Sequence, residues 1–135
     1  MGCPIWGIRD ILWGMGDVRV LIVDDEADMR LLVRTVLSNA SGLEVVGEAG
    51  SGLEAIDAVR DLDPDVVVLD YRMPDLTGVE VAQRLLAESP ERAIVILSAF
   101  LNDTTVSEAG RVGVRSCLRK DRMFELPAEL RRVAS

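Results

Sequence analysis

Short apolar runs recur along this chain, each followed by a segment whose apolar residues fall at helical spacing. That alternation constrains the fold more than any other feature. The runs at 18–23, 43–46, 65–70, 93–97 and 116–118 have strand length, and the longer ones are continuous rather than alternating, as strands covered on both faces read. Between them, Met29, Leu32, Val33, Val36 and Leu37 repeat every three or four residues, as do Leu53, Ile56 and Val59, and then Ala82, Leu85 and Leu86 within 79–87. A weaker helix is expected over 104–112, where Gly110 costs about 1 kcal/mol relative to alanine. A last helix begins near Pro127. Ser41-Gly42, Gly50-Ser51-Gly52, Asp63-Pro64 and the loop at 73–78 punctuate the pattern. Five strands alternating with five helices predict an α/β domain with one parallel sheet covered on both faces. In such sheets ligands sit at the carboxyl ends of the strands, near the switch in strand order. The residues expected there are Asp24, Asp25, Asp70, Ser98 and Lys120.

Composition narrows the chemistry. A chain of 135 residues is one ordinary domain, and 23 acidic against 15 basic residues leave a net charge of -8. That balance disfavours nucleic acid and anionic membranes as partners and favours cations. Histidine is absent, which removes Ser-His-Asp and Cys-His catalysis and histidine metal sites. Cys3 and Cys117 show no zinc or CxxC spacing and read as free thiols of a reducing cytosol, so a cytoplasmic protein is expected. No apolar run approaches the ~20 residues of a membrane span. Residues 1–16 are expected to be a poorly ordered leader before a domain at 17–135, with Met15-Gly16 an alternative start. Within that leader Ile5, Ile8 and Leu12 could form an apolar helix face for docking; as a signal peptide it lacks cations at its start, a long apolar stretch and a cleavage site, and Trp6 stands where myristoylation needs Ser or Thr.

Three carboxylates at two strand ends are difficult to explain structurally. At ~5 Å and an effective dielectric of ~20 each pair repels by roughly 3 kcal/mol, and three pairs approach the ~5–15 kcal/mol stability of a small domain. A hard divalent cation would relieve that repulsion, and Mg²⁺ needs only a few protein oxygens plus water. Each residue alone has a plainer reading. Asp24 or Asp25 could cap the next helix, Asp70 could serve a turn, Ser98 could bond backbone, and Lys120 could be a solvated charge. All five at successive strand ends are harder to dismiss.

The blocks LIVDDE (21–26), VVVLDYRMPDLTGVE (66–80), VILSAF (95–100) and LRKD (118–121), with their separations, resemble the receiver domain of two-component response regulators. The Lys120-Asp121 pair looks most like the NarL/LuxR-type subgroup. The resemblance implies a flavodoxin-like (CheY-like), doubly wound (βα)5 fold with strand order 2-1-3-4-5. It implies that Asp70 is a phosphoacceptor taking the phosphoryl group of a sensor histidine kinase. Asp24, Asp25, Asp70 and the backbone carbonyl of Arg72 would hold Mg²⁺. Lys120 and Ser98 would bind phosphoryl oxygens, and the loop carrying Ala99 would move with Ser98. Arg72 and Phe100 would border the phosphoryl group and slow the approach of water. At the position of an aromatic switch residue this chain has Cys117, a departure that weakens the expected coupling.

The resemblance implies a phosphoacceptor switch rather than an enzyme, with a sensor kinase as partner and a receiver–receiver homodimer as a further option. From Arg111 onward, seven basic and three acidic residues give +4, leaving -12 for the rest; a solvated face explains this before an interface does. Other readings are a receiver fragment of a DNA-binding regulator, a degenerate receiver acting without phosphorylation, and an aspartyl-phosphate phosphatase. The haloacid-dehalogenase type of phosphatase needs Asp-x-Asp, which Asp70-Tyr71-Arg72 does not supply.

Overall fold

A computed structural model describes residues 17–134. The leader expected at 1–16, with Cys3 and the face of Ile5, Ile8 and Leu12, lies outside the described residues. The strands are β1 (Val18–Val23), β2 (Leu43–Ala49), β3 (Val66–Leu69), β4 (Ala93–Ser98) and β5 (Ser116–Arg119). The helices are α1 (Ala27–Ser38), α2 (Gly52–Leu62), α3 (Gly78–Glu88), α4 (Asp103–Val112) and α5 (Leu126–Ala134), with a 3₁₀ turn at Lys120–Glu125 before the last. All neighbouring strands pair in parallel, in the order β2-β1-β3-β4-β5.

The order and the side-chain parity together explain the layers. From β1 the chain steps one way to β2, then reverses and steps the other way through β3, β4 and β5. Right-handed crossovers therefore put α1 on one face and α2, α3 and α4 on the other. Residues of one parity, Leu21, Val23, Val67, Leu69, Ile94 and Ile96, pack under α2, α3 and α4 with Ile56, Val59 and Leu85. The other parity, Val20, Ile22, Val66, Val68, Val95 and Leu97, packs under α1 and α5 with Leu37, Leu126 and Leu130. Burying both faces is why these strands read as unbroken apolar runs. The reversal lies between β1 and β3, so their carboxyl ends open side by side.

Most boundaries fall within a residue of the sequence reading, and β2 departs furthest from it. β2 runs to Ala49 rather than to residue 46, because Gly47 and Glu48 continue the pairing with Leu21 and Ile22 after a register shift beyond Val20. As the edge strand, β2 tolerates an outward Glu48 there. Helix α3 begins on a capping box: the Thr77 hydroxyl accepts from the Glu80 amide at 3.1 Å, and the Glu80 carboxylate accepts from the Thr77 amide at 2.8 Å. Among the described residues no helix is long and apolar enough to cross a membrane.

Candidate functional site

The site lies where the sheet reverses. β1 delivers Asp24 and Asp25, β3 delivers Asp70, β4 ends on Ser98, and Lys120 follows β5. Carboxylate oxygens of Asp24, Asp25 and Asp70 all lie within 4.8 Å of one another. Asp24 and Asp70 are buried, and Asp25 is exposed. A shallow cleft at this edge of about 300 Å³ is lined by Asp25, Glu26, Asp70, Arg72, Ser98, Ala99, Phe100 and Lys120.

Lys120 is no solvated surface charge. Its side chain is only 11% exposed, and Nζ donates to Asp24 Oδ2 at 2.9 Å and stands 3.5 Å from Asp70 Oδ1. Burial lowers the Lys120 pKa, but its hydrogen bond to Asp24 and the Asp70 and Asp24 charges outweigh that and raise it. The ammonium is therefore charged at neutral pH. Asp70 shows the opposite conflict. Burial, then the Asp24 charge, push its carboxyl from 3.8 up to about 6 against the pull of Lys120. One ammonium does not neutralise this cluster, and the uncompensated donors are hard oxygens. That set fits a divalent cation of the Mg²⁺ class.

Local bonds hold these groups. Asp24 Oδ1 accepts from the Glu26 amide at 2.9 Å, so part of its carboxylate serves the turn into α1, but neither Asp24 nor Asp25 caps that helix as the plainer reading expected. The N-cap of α1 itself is Glu26, which makes no side-chain capping bond. The Asp70 amide donates to the Val23 carbonyl at 2.9 Å, and the Gly78 amide to the Tyr71 carbonyl at 2.7 Å, clamping the loop after β3 between β1 and α3. Ser98 Oγ donates to the Phe100 carbonyl at 3.0 Å, the backbone bond expected of a strand-end hydroxyl. Phe100 is 78% exposed at the rim. Cys117 pairs across the sheet with Ile96 and packs on the core under α3 and α4; burial raises its thiol pKa, which makes it a poor nucleophile.

The basic C-terminal stretch is largely consumed internally. Arg119, Arg122 and Arg132 pair with Asp121, Glu125 and Glu129, while Arg115 and Arg131 hold backbone carbonyls. Two residues escaped the sequence reading. Arg30 of α1 donates from Nη1 to the Asp24 carbonyl at 2.5 Å, and Asp75 accepts from the Gly52 and Leu53 amides at 2.9 Å each, tying the loop after β3 to α2.

Fold and site define a doubly wound α/β domain with a carboxylate-lined cleft at its topological switch point. The chain belongs to the response regulator receiver domain family, whose model matches residues 20–131, and its function is that of a receiver in two-component signalling. It is 36% identical over 102 residues to the chemotaxis protein CheY of Thermotoga maritima, covering 76% of this chain and 84% of that protein. It is 39% identical over 120 residues to a protein-glutamate methylesterase/protein-glutamine glutaminase of Myxococcus xanthus, covering 84% of this chain but only 34% of that protein. Among solved structures, the signal receiver domain of the response regulator NarL from Mycobacterium tuberculosis superposes with a TM-score of 0.81 at 33% identity, covering 88% of this chain and 97% of that one. Receiver domains of this kind are generally non-enzymatic, and this chain spans about a third of the methylesterase.

Proposed function

We propose that this chain is a phosphorylation switch in which Asp70 accepts a phosphoryl group from the phosphohistidine of a sensor kinase. The observation that carries this reading is the Asp70 carboxylate, buried yet open to a cleft, between the charges of Lys120 and Asp24. An Asp70 oxygen forms the new P–O bond as the donor's P–N bond breaks, and the released imidazole takes up a proton. Lys120 binds a phosphoryl oxygen as a point charge. Ser98 turns its hydroxyl from the Phe100 carbonyl to another phosphoryl oxygen, which frees the loop at 99–101 to move. Asp24, Asp25, Asp70 and the Arg72 carbonyl would hold Mg²⁺, which supplies charge neutralisation during transfer. The rearranged loop shifts the population of the α4–β5–α5 surface that a partner reads. A NarL-type DNA-binding regulator as the whole protein is favoured by the likeness to the NarL receiver, and the flanking reading frame tests it.

Incubation with acetyl phosphate and Mg²⁺ is expected to add one phosphoryl group by intact-mass spectrometry, and a chelator is expected to abolish the addition. Absence of any adduct in folded, Mg²⁺-loaded protein would refute the switch. Phe100 covers the rim without being held by the core, so Phe100→Ala is expected to shorten the phosphorylated lifetime several-fold. An unchanged dephosphorylation rate would remove Phe100 from the control of water.

A further inference from the structure

Arg30 and Glu48 stand beside the acidic cluster, and the proposed phosphotransfer uses neither. Arg30 lies in α1, and its Nη1 reaches back six residues to the main-chain carbonyl of Asp24 at 2.5 Å. Its Nε donates to Glu48 Oε1 on β2 at 2.9 Å. Arg34, one turn further along α1, holds the second Glu48 oxygen at 2.7 Å. The Glu48 carboxyl is pushed up by partial burial, but the hydrogen bonds from Arg34 and Arg30 more than reverse this and keep it ionised. The Arg30 side chain is 20% exposed, and its guanidinium bridges the edge strand to the turn that carries the acidic pair. A planar fork with both ends engaged fixes direction as well as charge.

We propose that Arg30, aimed by Glu48, is a positioning residue that fixes the Asp24 main chain and so the divergence of Asp24 and Asp25 into the cation site. This rests on the reading of Asp24, Asp25 and Asp70 as Mg²⁺ ligands. Partners that orient ligands in this way commonly change metal affinity by about 10–100-fold when removed. The sign of the effect separates positioning from charge. Removing a nearby positive charge makes the cleft more negative and tightens Mg²⁺ binding. Loosening the acidic pair weakens it. A purely structural arginine lowers the melting temperature and leaves affinity alone.

Mg²⁺ affinity would be measured by calorimetry on the full chain for wild type, Arg30→Gln, Arg30→Lys, Glu48→Gln and Arg34→Gln, with folding checked by circular dichroism. Arg30→Gln is expected to weaken binding by roughly tenfold or more, with Arg30→Lys in between. Glu48→Gln, a milder change that leaves Arg30 in place, is expected to weaken it several-fold. Arg34→Gln removes an equal charge that does not touch Asp24, and it should stay within about twofold of wild type. If Arg30→Gln fails to fold, Arg30→Lys decides, because it keeps the charge and loses only the fork, whereas Glu48→Gln also removes a negative charge. Unchanged or tighter binding in the folded Arg30 or Glu48 variants overturns the inference while leaving the Mg²⁺ site standing. Absence of Mg²⁺ binding in wild type overturns the site itself and this inference with it.

Discussion

Asp70→Asn is expected to abolish phosphoryl uptake from acetyl phosphate and, in the same protein held metal-free, to raise its stability. The first effect follows from replacing a carboxylate nucleophile with an amide. The second follows from the conflict at the site. Burial and the Asp24 charge lift the Asp70 carboxyl from 3.8 to about 6, so the folded chain holds that proton more tightly than the unfolded chain does. Stability is therefore lost as pH climbs from about 4 to about 6, and above that range the ionised group opposes folding by about 2–3 kcal/mol. Asparagine keeps the shape without the charge, and Lys120 keeps Asp24 as its partner at 2.9 Å. In chelator at neutral pH the variant should melt about 5–10 °C above wild type. The gap should close near pH 4, where wild-type Asp70 is protonated. Adding Mg²⁺ should narrow it from the other side by stabilising wild type more. A variant melting below wild type in chelator at neutral pH, or carrying phosphoryl mass, would contradict this account.

That conflict was partly visible in the sequence, because aspartates closing apolar runs carry their positions with them. Once β1 and β3 are recognised as buried parallel strands, Asp24, Asp25 and Asp70 must emerge at one edge. The strand order and the two-faced core follow from the same alternation. What could not be read was direction. The pattern places Lys120 after a strand, but not the aim of its ammonium: Lys120 opens the 3₁₀ turn at Lys120–Glu125 and reaches the carboxylates, while Arg119 stays exposed with Asp121. The extension of β2 through Gly47 and Glu48 was hidden because an edge strand needs no apolar run. Arg30 left one trace: a cation near the start of α1, where the helix dipole favours anions, needs a local partner. The Asp24 carbonyl and Glu48 are those partners.

The second large effect concerns a glycine and has a control of opposite sign in the same molecule. Gly78 opens α3, and Gly110 sits within α4. Helix propensity alone says that alanine should stabilise either position by up to about 1 kcal/mol. At Gly110 an added Cβ meets nothing within 4 Å, so propensity decides, and Gly110→Ala should raise the melting temperature by a few degrees. At Gly78 the added Cβ would lie 2.5 Å from the Asp70 carbonyl oxygen and 3.1 Å from the Tyr71 Cα. Both are backbone atoms, and neither swings away as a side-chain tip would. The Asp70 backbone is pinned by the hydrogen bond its amide donates to the Val23 carbonyl, and the Gly78 amide donates to the Tyr71 carbonyl at 2.7 Å. Either α3 lifts from the sheet or the end of β3 shifts. Overpacking of this kind costs about 1–3 kcal/mol, which exceeds the propensity gain. Gly78→Ala should therefore melt several degrees below wild type. The displaced atoms belong to Asp70 itself, and a misplacement of about 1 Å can cost on the order of 100-fold in rate. Phosphorylation by acetyl phosphate should fall steeply in Gly78→Ala and stay at the wild-type rate in Gly110→Ala. If the two variants move together in either melting temperature or rate, the close approach of α3 to Asp70 is not what sets this site.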